Sequence, residues 1–124
     1  MSARDAREAL AAGDVDAAQA KLVEAIRSAP GDASLRAFLF QLACVRGDWA
    51  RAVKQLDVLA DLQPDALDMV TDYRAAIAAE ETRAAVIGGR TPPLVFGEGH
   101  RWTADLAEAL RRDAAGEDGP AAEL

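Results

Sequence analysis

Hydrophobic positions recur along the chain at intervals of three and four, and turn residues interrupt them at regular points. This periodicity predicts helices at about 3–12, 15–28, 33–46, 49–62 and 66–87, and another from Arg101 to about Asp113. The helix at 33–46 contains RAFLFQLACV, which is apolar on nearly every side. A helix of that kind belongs between neighbours rather than on a surface. The helix at 66–87 carries a stripe of Ala66, Met69, Val70, Tyr73, Ala76, Ile77 and Ala84 that should close a stack. After it, GGRTPPLVFGEG holds two of the five prolines and four of the nine glycines and reads as an irregular connector. Its Leu94, Val95 and Phe96 are expected to pack back on the helices. Trp102, Leu106, Ala109 and Leu110 share one face of the last helix, and the tail AAGEDGPAAEL is expected to be mobile. The expected division is a helical domain at 1–88, a connector packed on it at 89–100, and a helix with its tail at 101–124.

The turn residues repeat. Gly13, Asp14, Val15, Ala18, Leu22 and Pro30 return as Gly47, Asp48, Trp49, Ala52, Leu56 and Pro64, each thirty-four positions on. Each Gly stands where a helix ends and positive φ is often required. The Asp that follows can accept hydrogen bonds from the free N–H groups of the next helix. Pro then stops that helix, and Asp32 and Asp65 are candidates to cap the one after. Paired helices punctuated at this spacing have the pattern of tetratricopeptide repeats. A third copy fails, since Glu81 falls where Gly should be. The fold expected is all-α: a stack of antiparallel helix pairs, an extended connector and a C-terminal helix.

Composition agrees with helices: the hydrophobic fraction is 51% but aromatics are only 5%, so Ala and Leu dominate where strands would want β-branched and aromatic residues. The formal charge of -7 argues against nucleic acid, because a phosphate backbone would be repelled unless positive charge were sharply clustered. The densest basic stretch in the sequence is Arg111-Arg112, flanked by acids. One Cys allows no internal disulfide, the N-terminus lacks a secretory signal pattern, and no apolar run suits a membrane span. A cytoplasmic protein is expected.

Catalytic chemistry finds little purchase. Cys44 lies within an apolar helix and His100 in a Gly-flanked loop, with no third group placed to orient a base. Cys44 reads as a packing thiol and His100 as a solvated loop residue. No metal-ligand spacing and no phosphate-binding loop occur, so neither an enzyme nor a cofactor is expected.

Surface remains. Helical repeats line a concave groove with the first helix of each pair. In this register the groove side of 33–46 carries Ala37, Gln41 and Cys44. A shift of thirty-four either way adds Ala3, Arg7 and Leu10, then Thr71, Ala75 and Ala78. The set is small and nearly uncharged, which suits close approach of an amphipathic helix better than an acidic peptide terminus. Either an external helix occupies these residues, or they pack against the chain's own Leu94–Phe96 segment or final helix.

The stretches FLFQL at Phe38–Leu42, GDW at Gly47–Trp49, QLDVLA at Gln55–Ala60 and RTPPLVFGE at Arg90–Glu98 resemble the ImpE/SciE family of type VI secretion accessory proteins. The likeness runs over about residues 5–112. It implies a non-enzymatic adaptor that binds a helix of the contractile sheath's small subunit and is linked to the ClpV ATPase. It singles out Arg90, Thr91, Pro92, Leu94, Val95, Phe96, Gly97 and Glu98 as the family's connector, with one Pro more than the usual RTPLVFGEP. Family members usually continue into a second domain. Without one, Trp102, Leu106 and Leu110 form an exposed face suited to self-association into a homo-oligomer. Other readings are a general scaffold or secretion chaperone using the same groove, or, through the second domain such proteins carry, an enzyme or enzyme regulator.

Overall fold

The computed structural model describes residues 2–117, whose regular elements are all helices, with no strand among the described residues. The helices are α1 (Ala3–Ala11), α2 (Val15–Ser28), α3 (Ala33–Val45), α4 (Trp49–Leu62), α5 (Leu67–Ile87) and α6 (Arg101–Ala114), with one turn of 3-10 helix at Pro64–Ala66. The tail expected to be mobile lies, for residues 118–124, outside the described residues. Packing divides the chain into two compact units, the first ending at Ile77 and the second starting at Ala78. The division falls inside α5, whereas the helix itself ends one residue before Gly88-Gly89.

Helix ends in the first unit follow the repeated phrase. Gly13 and Gly47 have φ of 81° and 69°. At the first, Asp14 N–H donates to Ala9 C=O at 3.0 Å and Gly13 N–H to Leu10 C=O at 2.9 Å. At the second, Asp48 N–H donates to Ala43 C=O at 2.9 Å and Gly47 N–H to Cys44 C=O at 3.1 Å. This paired closure satisfies carbonyls that a helix end leaves free. The next helices open on side-chain caps: Asp14 accepts from Ala17 N–H at 2.8 Å and Asp48 from Arg51 N–H at 3.1 Å. Asp32 accepts from the N–H groups of Ser34 and Leu35. Asp65 departs from the expectation. It sits inside the 3-10 turn begun by Pro64, that turn has no side-chain cap, and α5 starts only at Leu67.

The core shows why one unit of the phrase cannot stand alone. Ala18 and Leu22 of α2, and Ala52 and Leu56 of α4, are all fully buried. Leu22 packs with Ala6 and Ala9 of α1, Ile26 of α2, and Leu35, Leu39 and Leu42 of α3. Leu56 packs with Phe40 and Ala43 of α3, Leu59 of α4, and Val70 and Ile77 of α5. The apolar helix α3 therefore serves two clusters with two different faces. Trp49 packs half-buried against the second cluster. Of the stripe expected to close the stack, Val70 and Ile77 are buried, and Tyr73 meets the Phe40 ring edge-on at 5.1 Å. Met69, Ala76 and Ala84 stay exposed, because α5 meets packed helices along one narrow line only. Arg74 pairs with Asp57 and ties α5 to α4.

In the second unit, Gly89 closes α5 as Gly13 and Gly47 close their helices, with φ 70°. It also has close company. A side chain there would come within 3.1 Å of Ala114 Cβ and 3.3 Å of the Arg111 carbonyl, so α6 lies directly against this turn. Replacing Gly47, which has open space around it, by Ala is expected to cost about 1–2 kcal/mol for the left-handed backbone alone. Gly89→Ala should cost its unit more, because the added methyl also displaces α6. Urea denaturation of both variants, followed by Trp fluorescence, measures the difference. Equal losses would show that α6 yields freely at Gly89.

Candidate functional site

The predicted groove residues occupy the first helix of each pair. Arg7 and Leu10 of α1 are exposed, and the Arg7 guanidinium lies 5.6 Å from the centre of the Phe38 ring, linking α1 to α3. On α3, Gln41 is exposed while Ala37 and Cys44 are half-buried against the second cluster. On α5, Thr71 and Ala75 are exposed, and the Thr71 hydroxyl donates back to the Leu67 carbonyl. Ala78 is exposed on the same helix, one residue past the limit of the first unit. Apart from Arg7, Leu10 and Gln41 these side chains are small, and Arg7 is the one cation among them. Burial pushes the Cys44 thiol up from its ordinary pKa, which keeps it protonated at neutral pH and poor as a nucleophile.

The second unit joins two sets of residues that the sequence presents separately. Arg90, Thr91 and Pro92 of the connector line a cavity of about 400 Å³ with Glu108, Leu110 and Arg111 of α6. Leu94, Val95 and Phe96 share an apolar trough of about 510 Å³ with Trp102, Leu106 and Leu110. Within its own unit the connector's neighbour is thus α6. Leu94 and Phe96 remain 81% and 90% exposed, and Trp102 and Leu106 are 63% and 66% exposed. Gly97 adopts φ 79° and Glu98 points to solvent at the far end of the connector. His100 is exposed and stacks on Trp102 with ring centres 6.0 Å apart.

Glu108 anchors the polar edge of this surface. Arg111 donates to it at 2.8 and 2.9 Å and Arg112 at 2.8 Å, and these bonds pull its carboxyl down to about 2 from an ordinary 4.5. An acid whose pKa is lowered by folding adds stability above its unfolded value and loses it as pH falls towards the folded one. The contribution of Glu108 is therefore expected to be complete above pH 4.5 and to disappear between there and about pH 2. Carboxyl NMR titration should place its midpoint near the lower value. A midpoint at the ordinary value would mean that the ion pairs do not form in solution.

A third feature escapes a linear reading. The sequence shows no basic cluster beyond Arg111-Arg112, yet the fold of the first unit assembles one from three helices. Arg27 of α2, Arg36 of α3, and Arg51 and Lys54 of α4 line a single cleft of about 430 Å³. The residues are up to 27 positions apart (54 − 27), so only the stacking of α2, α3 and α4 reveals them. Among the described residues, no group of three or more His, Cys, Asp or Glu side chains could hold a metal ion. No helix among them is long and apolar enough to cross a membrane.

Two stacked helix pairs with matching glycine ends, aspartate caps and buried Ala and Leu positions define a helical-repeat protein. The description "Tetratricopeptide repeat" fits residues 9–80, and the chain belongs to that family. Over 111 residues it is 47% identical to the type VI secretion system accessory component TagJ of Pseudomonas aeruginosa, a match covering 90% of this chain and 40% of that protein. The crystal structure of protein VPA1032 from Vibrio parahaemolyticus superposes with a TM-score of 0.83 at 30% identity, covering 95% of this chain and 44% of that one. The chain spans about two-fifths of the length of each relative. The TagJ match bears out the resemblance carried by FLFQL, GDW, QLDVLA and RTPPLVFGE.

Proposed function

We propose that the chain is a non-catalytic adaptor of bacterial type VI secretion that binds an amphipathic helix of the contractile sheath's small subunit. The observation that carries this reading is the 47% identity to the accessory component TagJ, which extends over nearly the whole chain. The first unit supports it physically. Its first helices offer small, weakly charged side chains at Ala37, Gln41, Thr71 and Ala75, and these let a second helix approach closely. In this reading Arg7, Leu10 and Cys44 belong to the same groove. In this reading the groove holds the sheath helix, and the chain acts in the cytoplasm alongside the ClpV ATPase that recycles the sheath. The exposed trough of Leu94, Phe96, Trp102 and Leu106 serves as a separate contact surface, suited to a second copy of the chain.

The test is calorimetric titration of the folded chain with a peptide spanning the first helix of the sheath small subunit. Saturable binding in the micromolar range is expected. Absence of heat and of any shift in Trp fluorescence, with helical content intact, would overturn the assignment of that helix to this chain.

A further inference from the structure

The basic cleft is not part of the groove. On α3, Arg36 and Leu39 of the cleft lie roughly a third of a turn away from Ala37, Gln41 and Cys44. We propose that this cleft, between α2, α3 and α4, is a second protein-binding site, and that its ligand is a short acidic peptide segment bearing a bulky apolar side chain. This goes beyond the adaptor reading and does not depend on it.

The cleft has a built floor and a charged rim. Ile26 and Leu39 are buried beneath it and Val23 is half-buried beside them. Arg36 is held in place: its guanidinium donates to the Pro30 carbonyl at 3.3 Å and to Gln55 Oε1 at 3.2 Å, and Gln55 is itself buried. Such a donor is oriented before any ligand arrives. Arg51 is shared with the cap Asp48 at 3.4 Å. Arg27 and Lys54 are exposed and, among the described residues, have no ion-pair partner. No acidic side chain lines the cleft. Four cations around one opening stand out in a chain of formal charge -7.

Ligand class follows from charge and floor together. A carboxylate pair would meet Arg27 and Lys54 at the rim, while a Leu- or Phe-sized side chain would cover Ile26 and Leu39. A nucleic acid fits less well. Its backbone has nothing aliphatic for that floor, the cleft lining offers no aromatic ring on which a base could stack, and a long polyanion would meet the acidic remainder of the chain.

The test uses fluorescence anisotropy of the chain with a fluorescein-labelled peptide that alternates paired Glu residues with Leu. A matched peptide with Gln for Glu and a single-stranded oligonucleotide of equal charge serve as comparisons. Saturable binding of the Glu peptide is expected, weakening as salt rises. The double variant Arg27→Glu/Lys54→Glu should weaken it by about tenfold or more, and the Gln peptide should bind the wild type correspondingly less well. The milder pair Arg27→Gln/Lys54→Gln gives the same reading, with a smaller loss, if charge reversal disturbs folding. Failure of the Glu peptide to bind, or equal binding by the folded variants, overturns the proposal. So does an oligonucleotide that binds as tightly as the peptide, since charge alone would then account for the site. The sheath-helix titration reads a different face and is unaffected by either result.

Discussion

Truncating Leu22 or Leu56 to Ala is expected to destabilise the first unit by about 2–5 kcal/mol each. The two leucines hold the same place in the repeated phrase and both are fully buried, so neither cavity opens to solvent. They belong to different clusters, Leu22 between α1, α2 and α3, and Leu56 between α3, α4 and α5. Their effects should therefore reach the same magnitude through separate sets of neighbours. Urea denaturation monitored by circular dichroism measures each loss, and the midpoint should fall without a large change in slope. A loss below about 1 kcal/mol at either site would show that its cluster collapses to fill the gap. In that event the two repeats would not be physically equivalent.

Placing charge in the groove should have the largest effect on binding. Ala75→Arg and Gln41→Glu each introduce a charge where a partner helix would lie closest, and a charge left unpaired on burial is costly. Each variant is expected to weaken the sheath-helix peptide by more than about tenfold. Both positions are exposed and neither belongs to a buried cluster, so helical content should match the wild type. Unchanged affinity in both variants would move the site away from α3 and α5, to the apolar trough of the second unit.

Much of the fold was legible because its signals are local. Gly13 and Gly47, Asp14, Asp32 and Asp48, and the buried Ala and Leu of α2 and α4 could all be read by counting along the chain. Asp65 misled because Pro64 directs the backbone into a 3-10 turn, which leaves the carboxylate within the turn instead of ahead of a helix. The stripe on α5 was only partly right. Periodicity identifies an apolar face but not how much neighbouring structure exists to cover it, and Met69 stays 41% exposed. The proposed groove rests on the repeat register, whereas the basic cleft has no such linear signal. Arg27, Arg36 and the Arg51/Lys54 pair come from three different helices with no common offset, and their convergence is a property of that packing. Equally, nothing in RTPPLVFGE alone says that its apolar residues and those of the last helix share one trough.

The two faces of α3 have an evolutionary consequence. Leu35, Leu39 and Leu42 answer to α1 and α2, while Phe40 and Ala43 answer to α4 and α5, so α3 is a party wall between two rooms. A change of side-chain volume on one side shifts the wall for both, and compensation must arise in two places at once. Helices α1 and α5 each furnish one room and can drift with it. Sequence freedom in this unit should accordingly be least at its centre, where only positions such as Ser34, Gln41 and Val45 face open solvent.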